Sequence, residues 1–90
     1  MTFHVRWTQT AENQLAEIWL AASDRNGITQ AVSELEALLR TNAETFGESR
    51  FGSIRIGFHQ TLGVLFNVDI PTNLVTVLRL WRYEGGSGRG

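Results

Sequence analysis

Apolar and polar residues alternate most clearly between residues 62 and 82, and this pattern predicts a β-hairpin. Val64, Phe66 and Val68 are separated by residues of a second face, at the period of two that a strand imposes. A β-branched run follows, and the only proline of the chain, Pro71, lies between the two runs. Because proline donates no backbone hydrogen bond, we place it in the turn between two antiparallel strands.

Two shorter stretches also alternate and predict strands. In residues 3–7 the apolar side chains occupy the odd positions. In residues 54–59 the apolar side chains Ile54, Ile56 and Phe58 share one face. The other face carries Arg55, Gly57 and His59. Residues 42–49 show no such alternation, and their composition is typical of a connector.

Apolar residues at helical spacing predict two helices between the first two strands. The first helix begins after an N-cap at Thr8 or Thr10 and ends near Ala22, with its apolar stripe at Ala11, Leu15, Ile18, Trp19 and Ala22. Turn residues at 23–27 separate it from a second amphipathic helix, from about Ile28 to Thr41. The short break predicts an antiparallel helical hairpin. Trp7 and Trp19 are expected to be core aromatics.

The element order is therefore β-α-α-β-β-β, which indicates an α+β fold. We expect the helical hairpin to pack on one face of a mainly antiparallel four-stranded sheet. The last three strands form a meander, and the first strand joins one of them after the helices cross over. Residues 1–84 are expected to form a single domain, followed by a flexible glycine-rich tail at 85–90.

The composition narrows the class of protein. The chain has no cysteine, which excludes disulfides and thiolate metal sites, and nothing in the sequence predicts a cofactor. No apolar run is long enough to span a membrane, and no signal peptide precedes the first strand, so we expect a cytoplasmic protein. Residues 1–48 carry three arginines against seven acidic residues, and residues 49–90 carry five arginines against two. An acidic helical layer and a basic sheet are expected.

Cations and aromatics are concentrated at the end of the last predicted strand. Arg79, Trp81 and Arg82 are predicted to form a contact surface for a macromolecular target, with Tyr83 beside them. Arginine at a sheet edge is also common as a solvated charge that opposes aggregation. Trp81 would serve equally to close the core, and a histidine in a turn, such as His59, is more often structural than catalytic.

Several stretches together resemble the RelE/ParE superfamily of toxins from bacterial type II toxin–antitoxin pairs. They are the helix opening Thr-Ala-Glu-Asn-Gln-Leu-Ala-Glu-Ile-Trp at 10–19, the connector at 42–50, Leu-Gly-Val-Leu-Phe-Asn-Val-Asp at 62–69 and Val-Thr-Val-Leu-Arg-Leu-Trp-Arg at 75–82. The resemblance covers residues 3–83. It implies growth inhibition or plasmid stabilisation by a small toxin that a cognate antitoxin neutralises, by folding onto it as a helix or an extended strand.

The resemblance leaves two targets open. RelE-like members cleave messenger RNA on the ribosome with clustered lysines and arginines, whereas ParE-like members inhibit DNA gyrase. This chain has no lysine, and Leu62-Gly63 stand where the nucleases commonly carry an arginine. The remaining candidates for RNA cleavage without a metal are Arg55, His59, Arg79, Arg82 and Tyr83.

The lack of lysines among these nuclease candidates and the pI of about 6.1 favour the ParE-like interpretation. A RelE-like nuclease and a toxin-fold binding module without toxicity remain the alternatives. An adjacent antitoxin gene would favour either toxin over the binding module.

Overall fold

The computed structural model describes residues 2–83, which form two helices packed on a five-stranded sheet. Met1 and residues 84–90, which include the predicted tail at 85–90, lie outside the described residues. In chain order the elements are β1 (His4–Trp7), α1 (Gln9–Ala21), α2 (Arg25–Asn42), β2 (Glu48–Phe51), β3 (Ile54–His59), β4 (Leu62–Asp69) and β5 (Leu74–Arg82).

Side-chain caps set the starts of both helices. The Thr8 hydroxyl accepts a hydrogen bond from the Ala11 N–H at 3.1 Å, so Thr8 is the N-cap of α1. Asp24 caps α2, because its carboxylate accepts a bond from the Gly27 N–H at 3.0 Å. This cap lets α2 begin at Arg25, three residues before the predicted start near 28.

The end of α1 is held by the start of α2. The Arg25 guanidinium donates to the Trp19 and Leu20 carbonyls, both at 3.1 Å, and lies 4.7 Å from the centroid of the Trp19 ring. Trp19 is 39% exposed, so the prediction of a core aromatic is wrong for this residue. Trp7 does pack against the core, and its indole N–H donates to Glu36 at 2.8 Å.

The sheet has the strand order β1-β5-β4-β3-β2. The predicted hairpin is present as β4 and β5, with Pro71 in the turn, and β3, β4 and β5 form the predicted antiparallel meander. β1 pairs with β5 in the parallel sense, since the helices return the chain across the sheet before the meander begins. The described sheet is therefore mixed, with three antiparallel pairs and one parallel pair.

The prediction of a four-stranded sheet is wrong by one strand. β2 lies within and just after the stretch interpreted as a connector, and it pairs with β3 at the edge of the sheet. All four of its side chains are exposed, with Phe51 at 74%. A strand that buries neither face gives no alternating pattern, which is why the sequence did not reveal it.

The two faces of the sheet differ in what covers them. The helix-facing side buries the core, which includes Leu35 and Leu39 of α2 and Val64, Phe66, Val75 and Val77 of the sheet. The strand register places Arg55 beside Phe66 and Gly57 beside Val64, so the polar face of β3 points toward the helices. Ile54, Ile56 and Phe58 consequently lie on the opposite side, where the described residues place no helix. We call this side the free face.

Candidate functional site

A β-bulge in β5 decides which side chains reach the free face. Leu65 pairs with Arg79 and Phe66 with Val77, so Leu78 is an extra residue in β5. Without this residue the alternation would place Arg79 on the helix-facing side. The bulge therefore directs Arg79 and Trp81 to the free face.

Thr8, the N-cap of α1, and Gln14 within α1 hold the bulge. The amide oxygen of Gln14 accepts a hydrogen bond from the Leu80 N–H at 2.7 Å. The Thr8 hydroxyl donates to the Leu78 carbonyl at 3.3 Å, and the Thr8 N–H donates to the Val77 carbonyl at 3.0 Å. These bonds pair backbone groups of β5 at and beyond Val77, where the neighbouring strand β1 ends.

Three aromatic rings cluster on the free face next to the bulge. Phe58 contacts Trp81 edge-on, with ring centroids 6.0 Å apart and planes at 83°. It also contacts Tyr83, with centroids 4.5 Å apart. Phe58 and Tyr83 are 45% and 40% exposed. Arg79 is also exposed and lies two residues before Trp81 on the same face of β5. Exposed aromatics beside an arginine are the composition that protein interfaces favour.

Arg55 lies on the other side of the sheet and binds the connector before β2. Its guanidinium donates to the Phe46 carbonyl at 3.0 Å and to the Gly47 carbonyl at 2.9 Å. The connector held in this way brings Phe46 onto Gly57 and stacks its ring on Phe66, with centroids 5.9 Å apart. In the described structure Arg55 therefore stabilises the connector.

His59 also lies on the helix-facing side, where it bridges to α2. Its Nε2 is 2.8 Å from the Glu34 carboxylate, and the Gln60 side-chain amide donates to the same oxygen at 3.3 Å. The hydrogen bond from His59, followed by bonds from Gln30 and Gln60, lowers the pKa of Glu34 below its ordinary value. These contacts join α2 to the β3–β4 turn.

The candidate residues are thus divided between two sides of the sheet. Arg79, Trp81 and Tyr83 share the free face. Arg82 pairs with Leu62, whose side chain is in the core, and it lines a shallow cavity beside the start of α2. The predicted surface of Arg79, Trp81 and Arg82 is therefore not continuous on one face. Phe58 completes the aromatic cluster and was missed, because neighbouring strands contribute to the cluster and only the register brings them together.

A second feature that the sequence did not reveal is an apolar groove between α1 and α2. It has a volume of about 470 Å³ and is lined by Glu12, Leu15, Ala16, Trp19, Leu20, Ile28, Thr29 and Val32. Leu20 is 64% exposed there. α1 carries Glu12 and Glu17 and no basic residue, so the groove lies beside an acidic surface.

Within residues 2–83 no group of three or more histidines or acidic residues is placed to hold a metal ion. None of the helices described in that range is long and apolar enough to cross a membrane.

Several solved toxin–antitoxin structures share this fold, although neither a protein-family model nor a curated protein sequence matches the chain. The mycobacterial RelBE2 toxin–antitoxin complex from Mycobacterium tuberculosis matches with a TM-score of 0.74 and 20% identity, over 91% of this chain and 99% of that one. The chromosomal ParDE toxin–antitoxin system from P. aeruginosa matches with a TM-score of 0.70 and 19% identity, over 92% and 98%. The archaeal RelE–RelB complex from Pyrococcus horikoshii matches over both whole chains, with a TM-score of 0.61 and 16% identity. The chain therefore has a RelE/ParE-like toxin fold.

Proposed function

We propose that this chain is the toxin of a type II toxin–antitoxin pair and that a cognate antitoxin holds it inactive in the cytoplasm. The proposal is supported by the fold, which covers 91% or more of the chain in its matches to RelE- and ParE-containing structures. The two branches of this fold act on different targets, so the choice between them rests on the candidate residues.

We infer a ParE-like toxin that arrests growth by binding a protein such as DNA gyrase. The observation that carries this choice is the separation of the nuclease candidates. RNA cleavage without a metal needs a base, an acid and a cation around one phosphate. Arg79 and Tyr83 are on the free face, whereas Arg55 and His59 are behind the sheet and bound to other groups. A RelE-like alternative would depend either on Arg79 and Tyr83, or on Arg55, His59 and Arg82 on the other side, where Arg82 and His59 both flank Leu62.

The target-contact surface in this proposal is the free face around β5. Trp81 and Phe58 supply apolar contact, and Arg79 supplies a cation that can form bidentate bonds with a carboxylate. Arg82 is exposed at the end of the same strand but on the other side of the sheet, so it contributes only where the target extends around the strand end. Substituting Trp81 is expected to weaken target binding more than substituting Arg82, because buried aromatic anchors carry more binding energy than rim charges.

The antitoxin is expected to occupy the groove between α1 and α2. Its lining fits the apolar side of an amphipathic helix, and Glu12 and Glu17 favour basic residues at the margins of that helix. Leu20→Lys places a charge in the groove without disturbing the core, so it should abolish neutralisation while the variant stays folded. Gln30→Lys on the exposed side of α2 is the matched control, and it should leave neutralisation intact.

The test is induced expression in a bacterial host, alone and together with the neighbouring gene, with pulse-labelling of DNA and protein synthesis. We expect an early stop in DNA synthesis that the neighbouring gene relieves. An early stop in protein synthesis that Arg79→Ala or Tyr83→Phe abolishes would establish the RelE-like alternative. Normal growth at confirmed expression of folded protein would contradict both and leave a binding module without toxicity.

A further inference from the structure

One row of residues crosses the free face with opposite charges at its two ends. The register places Glu48 of β2, Ile56 of β3, Leu65 of β4 and Arg79 of β5 side by side. The two central side chains are apolar and half-buried, and the two terminal ones are exposed. Neighbouring strands are about 4.8 Å apart, so the charges are about 14 Å from each other and cannot pair within one chain. Within residues 2–83 neither charge forms a salt bridge.

We propose that the free face binds a second copy of this chain, with a two-fold axis parallel to the strands. This axis lies between β3 and β4 and places β2 of each copy over β5 of the other. Glu48 of each copy then lies opposite Arg79 of the other, and the pair forms twice, as an isologous interface requires. Ile56 and Leu65 meet between the two pairs.

The same charges exclude the other symmetric arrangement of two stacked sheets. A two-fold axis that runs along the row, at right angles to the strands, would place Glu48 over Glu48 and Arg79 over Arg79. Two like-charge contacts oppose that complex. The charge pattern therefore selects one orientation from two that bury the same apolar side chains.

The aromatic cluster strengthens the case for an occupied face. The strand-parallel axis brings Phe58 of one copy over the Trp81 indole that covers Gly63 of the other. Exposed apolar patches of this kind mark interaction sites in soluble proteins.

The size of the face predicts a weak dimer. Four strands span about 19 Å and five residues along them about 17 Å, so each copy contributes roughly 320 Å² of projected area, less than the roughly 800 Å² per partner of a standard stable interface. The dimer would cover Arg79 and Trp81, the surface that we propose for target binding. Self-association and target binding should then exclude each other, although the dimer itself does not depend on the identity of the target.

Charge reversal combined with mixing tests the arrangement. In sedimentation velocity, the wild-type chain should form dimers as its concentration rises. Glu48→Arg alone and Arg79→Glu alone should each raise the dimer dissociation constant at least about tenfold, because each creates two like-charge contacts. An equimolar mixture of the two variants should dimerise again, since every charged contact between them joins opposite charges.

Control variants carry the same charge changes in the helical layer. Glu17 and Arg40 are exposed helix residues, so the Glu17→Arg and Arg40→Glu variants should dimerise like the wild type. Circular dichroism checks that every variant is folded. The proposal is overturned if the wild type stays monomeric at the highest concentration that remains in solution, if a single reversal still dimerises, or if the mixture stays monomeric. The assay measures mass alone, so its outcome is separate from toxicity.

Discussion

The indole of Trp81 packs directly on the Cα of Gly63, the residue opposite it on β4. A Cβ at position 63 would overlap three atoms of the indole ring. Glycine is thus required here for the close approach of an aromatic ring, which reaches across β4 to meet Phe58. The shape of the proposed contact surface depends on this one position.

Gly63→Ala should displace the indole and deform the aromatic cluster. We expect a loss of about 1–3 kcal/mol in the free energy of unfolding, as in other overpacked sites, together with a change in tryptophan emission. Gly52→Ala is the comparison, because a Cβ there meets no atom within 4 Å and the positive φ of 55° costs about 1 kcal/mol. Unchanged emission in Gly63→Ala would contradict the packing described for Trp81.

Gln14→Leu should loosen the β5 bulge. The substitution leaves the N–H of the buried Leu80 without its partner, so we expect a loss of about 1–2 kcal/mol in the free energy of unfolding measured by urea denaturation. Growth inhibition should weaken as well, because the bulge directs Arg79 to the free face. Gln9→Leu on the same helix removes only an exposed bond to Asn13 and should change stability by less than about 0.5 kcal/mol. Equal effects of the two substitutions would show that Gln14 does not hold the bulge.

Arg55→Ala tests whether the role of Arg55 is structural or catalytic. Two backbone carbonyls lose their donor, so we expect a loss of about 1–2 kcal/mol in stability, while toxicity per folded molecule stays at the wild-type level. Arg50→Ala is the control, since Arg50 is exposed on β2. A stable Arg55→Ala variant without toxicity would favour the nuclease alternative.

The bridge between Glu34 and His59 should make stability depend on acid pH. The pKa of Glu34 is lowered in the folded chain, chiefly by the hydrogen bond from His59, from an ordinary value of 4.5. A carboxyl group whose pKa is lowered by folding stabilises the fold at pH values above its pKa in the unfolded chain. This stabilisation is lost as the pH falls through its pKa in the folded chain. The melting temperature of Glu34→Gln should therefore fall less than that of the wild type below about pH 4.5. The effect is small, because the Glu34 side chain is 39% exposed. Glu17→Gln, which lies elsewhere on the helical layer, should follow the wild type.

The sequence predicted those elements whose burial follows their own periodicity. The β4–β5 hairpin and both helices each bury one face, so their apolar spacing was informative. β2 buries neither face and was missed. In β3 the apolar residues lie on the free face and Arg55 behind the sheet, and only pairing with β4 determines this orientation.

The candidate site was less predictable because it depends on pairing between strands. Arg79, Trp81 and Arg82 are close in sequence, but alternation on β5 places Arg82 on the opposite side from the other two. The extra residue Leu78 determines which side of the sheet each following side chain of β5 faces. Gln14 of α1 holds this bulge through its bond from the Leu80 N–H. No local pattern in β5 reports a contact of that kind.

Inhibition of purified DNA gyrase tests the central claim most directly. We expect the wild-type chain to block supercoiling of relaxed plasmid, and Trp81→Ser to lose this effect. The matched control His59→Gln should block supercoiling as the wild type does, because His59 lies behind the sheet. Unimpaired supercoiling in the presence of folded wild-type chain, together with cleavage of messenger RNA in a cell-free translation reaction, would contradict the ParE-like account.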